Sequence, residues 1–289
     1  MRIWVAVASV GRAELLCRSL ARLAGQTRPA DGIVVVGSDA ADVAGVVEAI
    51  PAAQVLLAER GLCRQRNAAL EMLRDKSDAI VFFDDDFLPE RHFLETMERE
   101  FTADPKLVGL TGVLMADGAH TSQIAFEDAA DALDRGCAVP TGSEPEPINW
   151  LYGCNMAFRT SAIAGLSFDE ALPLYGWQED VDFSNRLSRR GAMRRTSDLT
   201  GIHLGTRGGR QSGLRLGYSQ VANVVYLLRK GTIGRWHGLS LMARNIAMNG
   251  SRSLWPESGI DRRGRLRGNA LAAADILRGR VTPQRIEQL

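Results

Sequence analysis

The residues best suited to chemistry in this 289-residue chain are three adjacent carboxylates, Asp84-Asp85-Asp86, which follow directly on the apolar run Ile80-Val81-Phe82-Phe83. Such a run reads as a strand buried on both faces of a parallel sheet. Neighbouring carboxylates repel one another unless a cation lies among them. Oxygen donors suit hard divalent ions such as Mg2+ or Mn2+, often with phosphate oxygens completing the shell. In open α/β sheets, ligands sit beyond the carboxyl ends of the strands. Taken alone, the segment is equally consistent with a solvated acidic turn. A second acidic group, Glu179-Asp180-Val181-Asp182, leads into helical spacing over residues 183–190, stopped by Gly191. Taken alone, that group reads as the stabilising acidic first turn of a helix.

The elements that must position these groups are legible upstream. Residues 3–8, 32–37, 54–57 and 79–83 are apolar and rich in β-branched residues, as strands are. Residues 13–25, 42–49 and 61–73 between them read as helices with short loops. This alternation predicts a doubly wound, mostly parallel α/β sheet flanked by helices, with right-handed crossovers. Pro89 suits the first turn of a helix over 91–100, and residues 107–113 read as a further strand. Residues 117–147 are polar, acidic and turn-rich, either a lid or a loosely ordered insertion. Strand-like composition returns over 149–158, and a short helix begins at Thr160.

Net charge is +1, but it is unevenly spread. Residues 1–184 hold 15 Lys/Arg against 29 Asp/Glu, while residues 185–289 hold 20 against 5. The basic part suggests an anionic partner such as lipid head groups, nucleic acid or diphosphates. Within it, the apolar segments 214–228 and 233–247 carry Tyr218, Tyr226 and Trp236 beside Arg229, Lys230, Arg235 and Arg244. They fit basic amphipathic helices at a membrane surface, or helices packed on the sheet. The basic stretch 261–280 reads as a loosely held tail. The expected division is a catalytic domain over 1–210 and a helical, basic C-terminal region over 211–289. Cys17, Cys63, Cys137 and Cys154 show no CxxC spacing, so reduced thiols are expected rather than a zinc site. No export signal opens the sequence, and no window reaches the roughly 18 apolar residues of a membrane span. A cytoplasmic protein, peripheral on the inner face of the membrane, is the expectation.

Three segments together resemble the family 2 glycosyltransferases of the GT-A fold. Asp84-Asp85-Asp86 resembles their DXD motif. Gly61-Leu62-Cys63-Arg64-Gln65-Arg66-Asn67 is similar to the segment that precedes it. Trp177-Gln178-Glu179-Asp180-Val181-Asp182 resembles their ED motif, and with Asn185-Arg186-Leu187 is also similar to the β-galactosyltransferases. The resemblance covers residues 1–210, with two departures. Val10-Gly11-Arg12 stands where the family has Asn-Arg, and Gly37-Ser38-Asp39 stands where it has a longer acidic segment.

The resemblance implies transfer of a sugar from a nucleotide diphospho-sugar, most simply a UDP-sugar, to a glycan or lipid-linked acceptor of surface polysaccharide assembly. It assigns Asp84, Asp86 and His203 to Mn2+ or Mg2+, with Asp85 structural or in contact with the donor sugar and Arg66 binding the diphosphate or holding Asp84. Asp39 is placed at the base, with Ser9 and Arg12 at the base or ribose. Asp180 is the general base, and Trp177, Glu179 and Asp182 are acceptor or scaffold residues. One base without a nucleophile implies inversion at the anomeric carbon. The glycine-rich stretch 208–213, with Arg207 or Arg210 near phosphate, reads as a loop that orders over the donor. The rival enzyme is a sugar-phosphate nucleotidyltransferase, but the first strand lacks the glycine- and lysine-containing phosphate loop after it. The rival outside enzymes is a nucleic-acid-binding protein using the basic half. No nucleic-acid motif or stacking array supports it, and no nucleic-acid partner is expected.

Overall fold

The computed structural model describes residues 1–119, 122–136, 145–206, 212–255 and 260–289. The chain forms two compact units. The first comprises Met1–Arg60, Arg64–Ser167 and Arg186–Gly209, and the second Gly61–Cys63, Phe168–Asn185 and Arg210–Leu289.

The first unit is built on the expected alternation. Its opening elements are β1 (Ile3–Ala8), α1 (Ala13–Leu23), β2 (Gly32–Gly37), α2 (Val46–Ala49), β3 (Ala53–Leu57), α3 (Leu62–Leu73) and β4 (Ala79–Asp84). β1 pairs in parallel with both β2 and β4, and β2 with β3. The apolar runs of β1, β2 and β4 are buried, as central parallel strands require. α1 turns Leu16, Leu20 and Leu23 inward at helical spacing.

Beyond β4 come β5 (Phe87–Pro89), α4 (Phe93–Ala103), β6 (Leu107–Asp117), α5 (Phe126–Asp134), β7 (Glu146–Pro147), β8 (Asn155–Arg159), α6 (Glu179–Leu187) and β9 (Ala192–His203). Here the sheet departs from mostly parallel. Its order is β3-β2-β1-β4-β8-β6-β9-β5, with β7 added on β9. β8 runs antiparallel to β4 and β6, and β5 and β7 run antiparallel to β9. The sheet is thus mixed, and parallel pairing returns only between β6 and β9.

Two local expectations change for physical reasons. Pro89 closes β5, paired with Gly201, instead of opening a helix. It is tolerated because β5 is the last strand of the sheet, where a missing N–H breaks no ladder. β9 was not legible because charges at 194, 195 and 198 interrupt its apolar pattern. Each charge finds a partner: Arg194 pairs with Asp104, Arg195 with Glu146, and Asp198 with Arg99. Within 117–147, α5 is ordered on the sheet, with Ala129 and Leu133 buried beside Leu88 and Ile202. Arg18 and Arg22 of α1 reach across to Glu127 and Asp134 of α5. Residues 120–121 and 137–144 of that stretch, Cys137 among them, lie outside the described residues.

The second unit contains most of α6 together with α7 (Gly213–Lys230), α8 (Arg235–Arg252) and α9 (Arg262–Leu277). The stretch expected to be a loose tail is the helix α9, which packs tightly on α7. Gly213 and Gly217 of α7 face Asp261 and Arg265. Gly268 of α9 faces the backbone of Leu214 and Gly217. A Cβ on Gly217 would stand 2.0 Å from the Arg265 carbonyl oxygen, and one on Gly268 would stand 2.1 Å from that of Leu214. Only hydrogen fits there. The crossing is closed by buried polar groups. Asn249 of α8 donates to Gln220 and Asn269, and Asn269 donates to the Gly217 carbonyl. Asp275, fully buried, accepts from Tyr218 at 3.0 Å and Arg280 at 2.9 Å, and also from Arg285. Burial and the Asp275 carboxylate push the Tyr218 hydroxyl up to about 12.

Gly217→Ala forces two backbones apart and is expected to cost about 1–3 kcal/mol, as overpacking does. Thermal unfolding by circular dichroism should show a lowered Tm, whereas Gly250→Ala, where a Cβ meets open space, should not lower it.

Candidate active site

β4 ends at Asp84, in register with Ala8 of β1. The chain then turns through Asp85 and Asp86 into β5, whose Phe87 pairs with His203 at the end of β9. That pairing brings a histidine 119 positions away in sequence onto the acid-rich turn. The Leu204 and Thr206 N–H groups donate to the Asp86 carbonyl and to Asp86 Oδ2, at 2.9 and 2.7 Å.

Asp84, Asp86 and His203 form one cluster, each offering a donor atom within 4.8 Å of the others. His203 Nε2 stands 3.3 Å from Asp86 Oδ1 and 3.9 Å from Asp84 Oδ2. Its other nitrogen, Nδ1, is held by Asp117 Oδ1 at 2.9 Å, and the Tyr152 hydroxyl donates to Asp117 Oδ2 at 2.8 Å. A carboxylate behind the imidazole fixes the ring so that Nε2 faces the acids, an arrangement that metal-ligating histidines use. Burial alone would lower the His203 pKa, but Asp117, Asp86 and Asp84 raise it to about 10. Burial alone would raise the Asp86 pKa, but His203, Arg12 and the Thr206 N–H hold it near about 2. Asp117 is likewise lowered, chiefly by His203 and Tyr152 working against burial. Two carboxylate oxygens and one imidazole nitrogen are donors that fit a divalent ion such as Mn2+ or Mg2+.

The remaining charges of the turn are balanced by arginines. Asp85 is buried, 2.6 Å from the Arg12 guanidinium, and accepts from the Ser9 hydroxyl at 2.6 Å. Burial pushes Asp85 up to about 7 despite Arg12. Arg12 also lies 3.4 Å from Asp86 Oδ2. Arg66 of α3, buried, donates to Asp84 Oδ1 at 3.1 Å and to the Gly153 carbonyl at 2.9 Å. Ser9, Arg12 and Arg66 thus each contact at least one of the acids, and Arg66 holds Asp84 as one of its two expected roles requires. Asp39 caps a short turn, accepting from the Ala41 and Asp42 N–H groups.

Two residues that shape this region escaped the sequence reading. Asp42 ties the exits of β1 and β2 together, accepting from Gly11 N–H at 2.6 Å and Ser38 N–H at 2.8 Å. Asp117 is the other. Its position at the end of a strand, like Asp84, was the available signal.

The acidic group of the second unit sits at the start of α6. It is approached through Leu174 and Gln178, both with left-handed φ (56° and 74°). For residues other than glycine this is backbone strain, held by surrounding structure. α7 supplies part of that hold. Asn223 donates to the Trp177 carbonyl at 2.8 Å, and the Lys230 ammonium lies 2.8 Å from Asp182 and 2.6 Å from Asp169. Asp182 is fully buried and paired with Lys230. Glu179 is also buried, whereas Asp180 and Trp177 retain partial exposure. Residues 207–211, including Arg207, Arg210 and most of the glycine-rich loop, lie outside the described residues.

A family model described as Glycosyl transferase family 2 matches residues 4–163. No match was found among curated proteins. A mannosyltransferase from Pyrobaculum calidifontis, solved with GDP-Man and Mn2+, is similar with a TM-score of 0.55 at 18% identity over 99% of this chain and 84% of its own. TarS 1-349 of S. aureus is similar with a TM-score of 0.59 at 16% identity over 100% of this chain and 83% of its own. The same protein in complex with UDP gives a TM-score of 0.57 at 16% identity, over 89% of this chain and 76% of its own. At these identities the likeness establishes the fold, which is that of the GT-A glycosyltransferases.

Asp86→Ala is expected to abolish Mn2+ binding measured by calorimetry. Asp117→Asn, which removes the charge behind His203, should weaken it about 10- to 100-fold. Unchanged affinity in both variants would contradict the cluster as a metal site.

Proposed function

The chain belongs to glycosyl transferase family 2, and we propose that it moves a sugar from a nucleotide diphospho-sugar, a UDP-sugar by resemblance, to a hydroxyl of a glycan or lipid-linked acceptor in surface polysaccharide assembly. The observation that carries this reading is the Asp84–Asp86–His203 cluster at the carboxyl end of β4, with Asp117 behind it. A divalent ion held there supplies charge neutralisation for the leaving diphosphate. Asp84 and Asp86 hold the ion, and Arg66 and Arg12 keep the crowded carboxylates in place. Among the solved neighbours, one binds a GDP-sugar with Mn2+ and another UDP.

Asp180 removes the proton from the acceptor hydroxyl. Its side chain is partly exposed, whereas those of Glu179 and Asp182 are buried. Trp177, partly exposed, offers its ring to a sugar face. With one base and no nucleophile, the reaction is a single displacement with inversion. No helix among the described residues is long and apolar enough to cross a membrane. The proposed site of action is the cytoplasmic face of the membrane, reached peripherally.

A nucleotidyltransferase is disfavoured because the exit of β1 spends Arg12 on Asp85 and Asp86 instead of cradling phosphates. A nucleic-acid reading is disfavoured because many arginines of the basic half are paired internally, among them Arg194, Arg195, Arg280 and Arg285.

Asp180→Asn should lower transfer by about 10^2- to 10^4-fold, the usual worth of a general base, with donor affinity unchanged. Full activity in that variant would remove Asp180 as the base. NMR of the product should show a β-linkage from an α-linked donor, and an α-linkage would exclude inversion.

A further inference from the structure

α8 has two apolar faces, and the second unit covers one of them. Gly238, Leu241, Met242, Asn245 and Asn249 are buried or half-buried, and Asn249 and Met242 meet the α7–α9 core. The opposite face carries Trp236, Leu239, Ala243, Ile246 and Ala247, spaced three and four apart so that they form one stripe. It is continued past the helix end by Leu254 and Trp255. Trp236 is 86% exposed, Trp255 71%, Leu254 69%, Leu239 50% and Ile246 39%. Large apolar side chains gathered on one exposed face mark an interaction site.

The charge around the stripe selects the occupant. Arg235 and Arg244 flank it, Arg252 ends the helix, and no Asp or Glu occurs from Gly231 to Trp255. The helix is about 27 Å long at 1.5 Å per residue, with a tryptophan at or just beyond each end. Indole rings favour the membrane–water interface, and basic residues favour anionic head groups. We propose that this face of α8 lies in the interface of a bilayer carrying anionic lipid, with Trp236, Leu239, Ile246 and Leu254 inserted and Arg235 and Arg244 at the head groups. This deepens the peripheral, lipid-linked-acceptor reading above and rests on it.

The structure also moves the contact away from Tyr218, Tyr226 and Lys230, which the sequence suggested. Tyr218 is fully buried, Tyr226 donates to Asp169, and Lys230 is committed to Asp169 and Asp182. α7 therefore belongs to the core and α8 to the surface.

The test is co-sedimentation of the full chain with phosphatidylcholine vesicles, with and without phosphatidylglycerol. The wild type is expected to bind the anionic vesicles and to be released by high salt. Trp236→Ser with Ile246→Ser should weaken partitioning about 10-fold or more. Arg235→Gln with Arg244→Gln should cost about five-fold per arginine. Metal-dependent donor hydrolysis in vesicle-free solution should be unchanged in both. Leu239→Ser, at an exposed position, serves as a second apolar variant if the first is poorly folded. Absence of wild-type binding, or binding by the serine variants equal to wild type, would overturn the proposal. So would a wild-type dimer in sedimentation equilibrium that the serine variants dissolve while no form binds vesicles, which would give the face to a second copy. Vesicle binding with no turnover of any nucleotide sugar would instead count against the transferase reading.

Discussion

Like-charge repulsion at the end of β4 is the constraint that organises the first unit. Three consecutive carboxylates, two of them buried, are unstable without compensation, because burial removes the water that would screen them. The fold brings compensating groups from three elements to that one turn: the guanidinium groups of Arg12 after β1 and Arg66 on α3, and the imidazole of His203 on β9. The resulting division is chemical as well as structural. Asp85 is turned to Ser9 and Arg12. Asp84 and Asp86 keep oxygens turned toward His203, and these are the atoms available to a cation. The same arrangement explains why a sheet that begins parallel ends mixed. The antiparallel β5–β9 pair is what sets Phe87 beside His203 and so closes the cluster.

The second unit meets a different constraint. Its acidic turn requires left-handed backbone at Leu174 and Gln178, and strain of that kind persists only when neighbours hold it. α7 provides Asn223 and Lys230 for this purpose, from one end of a helix whose other end is locked against α9 through glycine. A helix clamped so closely by backbone contact gives that turn a firm support. α8, packed by one face only, is left to present its second apolar face outward. The large charge asymmetry of the chain thus has two uses within the described residues. Some arginines of the basic half are internal partners for buried acids, as Arg280 and Arg285 are for Asp275. Others, on α8, remain at the surface.

Much of the framework was legible in the residues. The strand–helix alternation to Asp84 follows from uninterrupted apolar runs, and its period needs no tertiary information. The motifs around Arg66, Asp84 and Asp180 were readable because charged groups that end an apolar run or open a helix stand out locally. β9 was not readable, since its charges are tolerated only through partners distant in sequence. Nor was the ordered α9, whose basic composition looks solvated until Gly217 and Gly268 meet.

The sequence by itself determined which groups are available: three acids at a strand end, a histidine between glycines, and a second acidic group before a helix. Their local identity is a matter of covalent chemistry and short-range periodicity. Tertiary structure alone decided how they are used. It chose Asp117 as the partner of His203, set the Ser9 hydroxyl and the Arg12 guanidinium against Asp85, made Asp182 a buried ion pair, and left α8's apolar stripe outside. Each of these depends on which long-range partner removes a charge or an apolar surface from water, and that information resides in contacts between elements and not within any one of them.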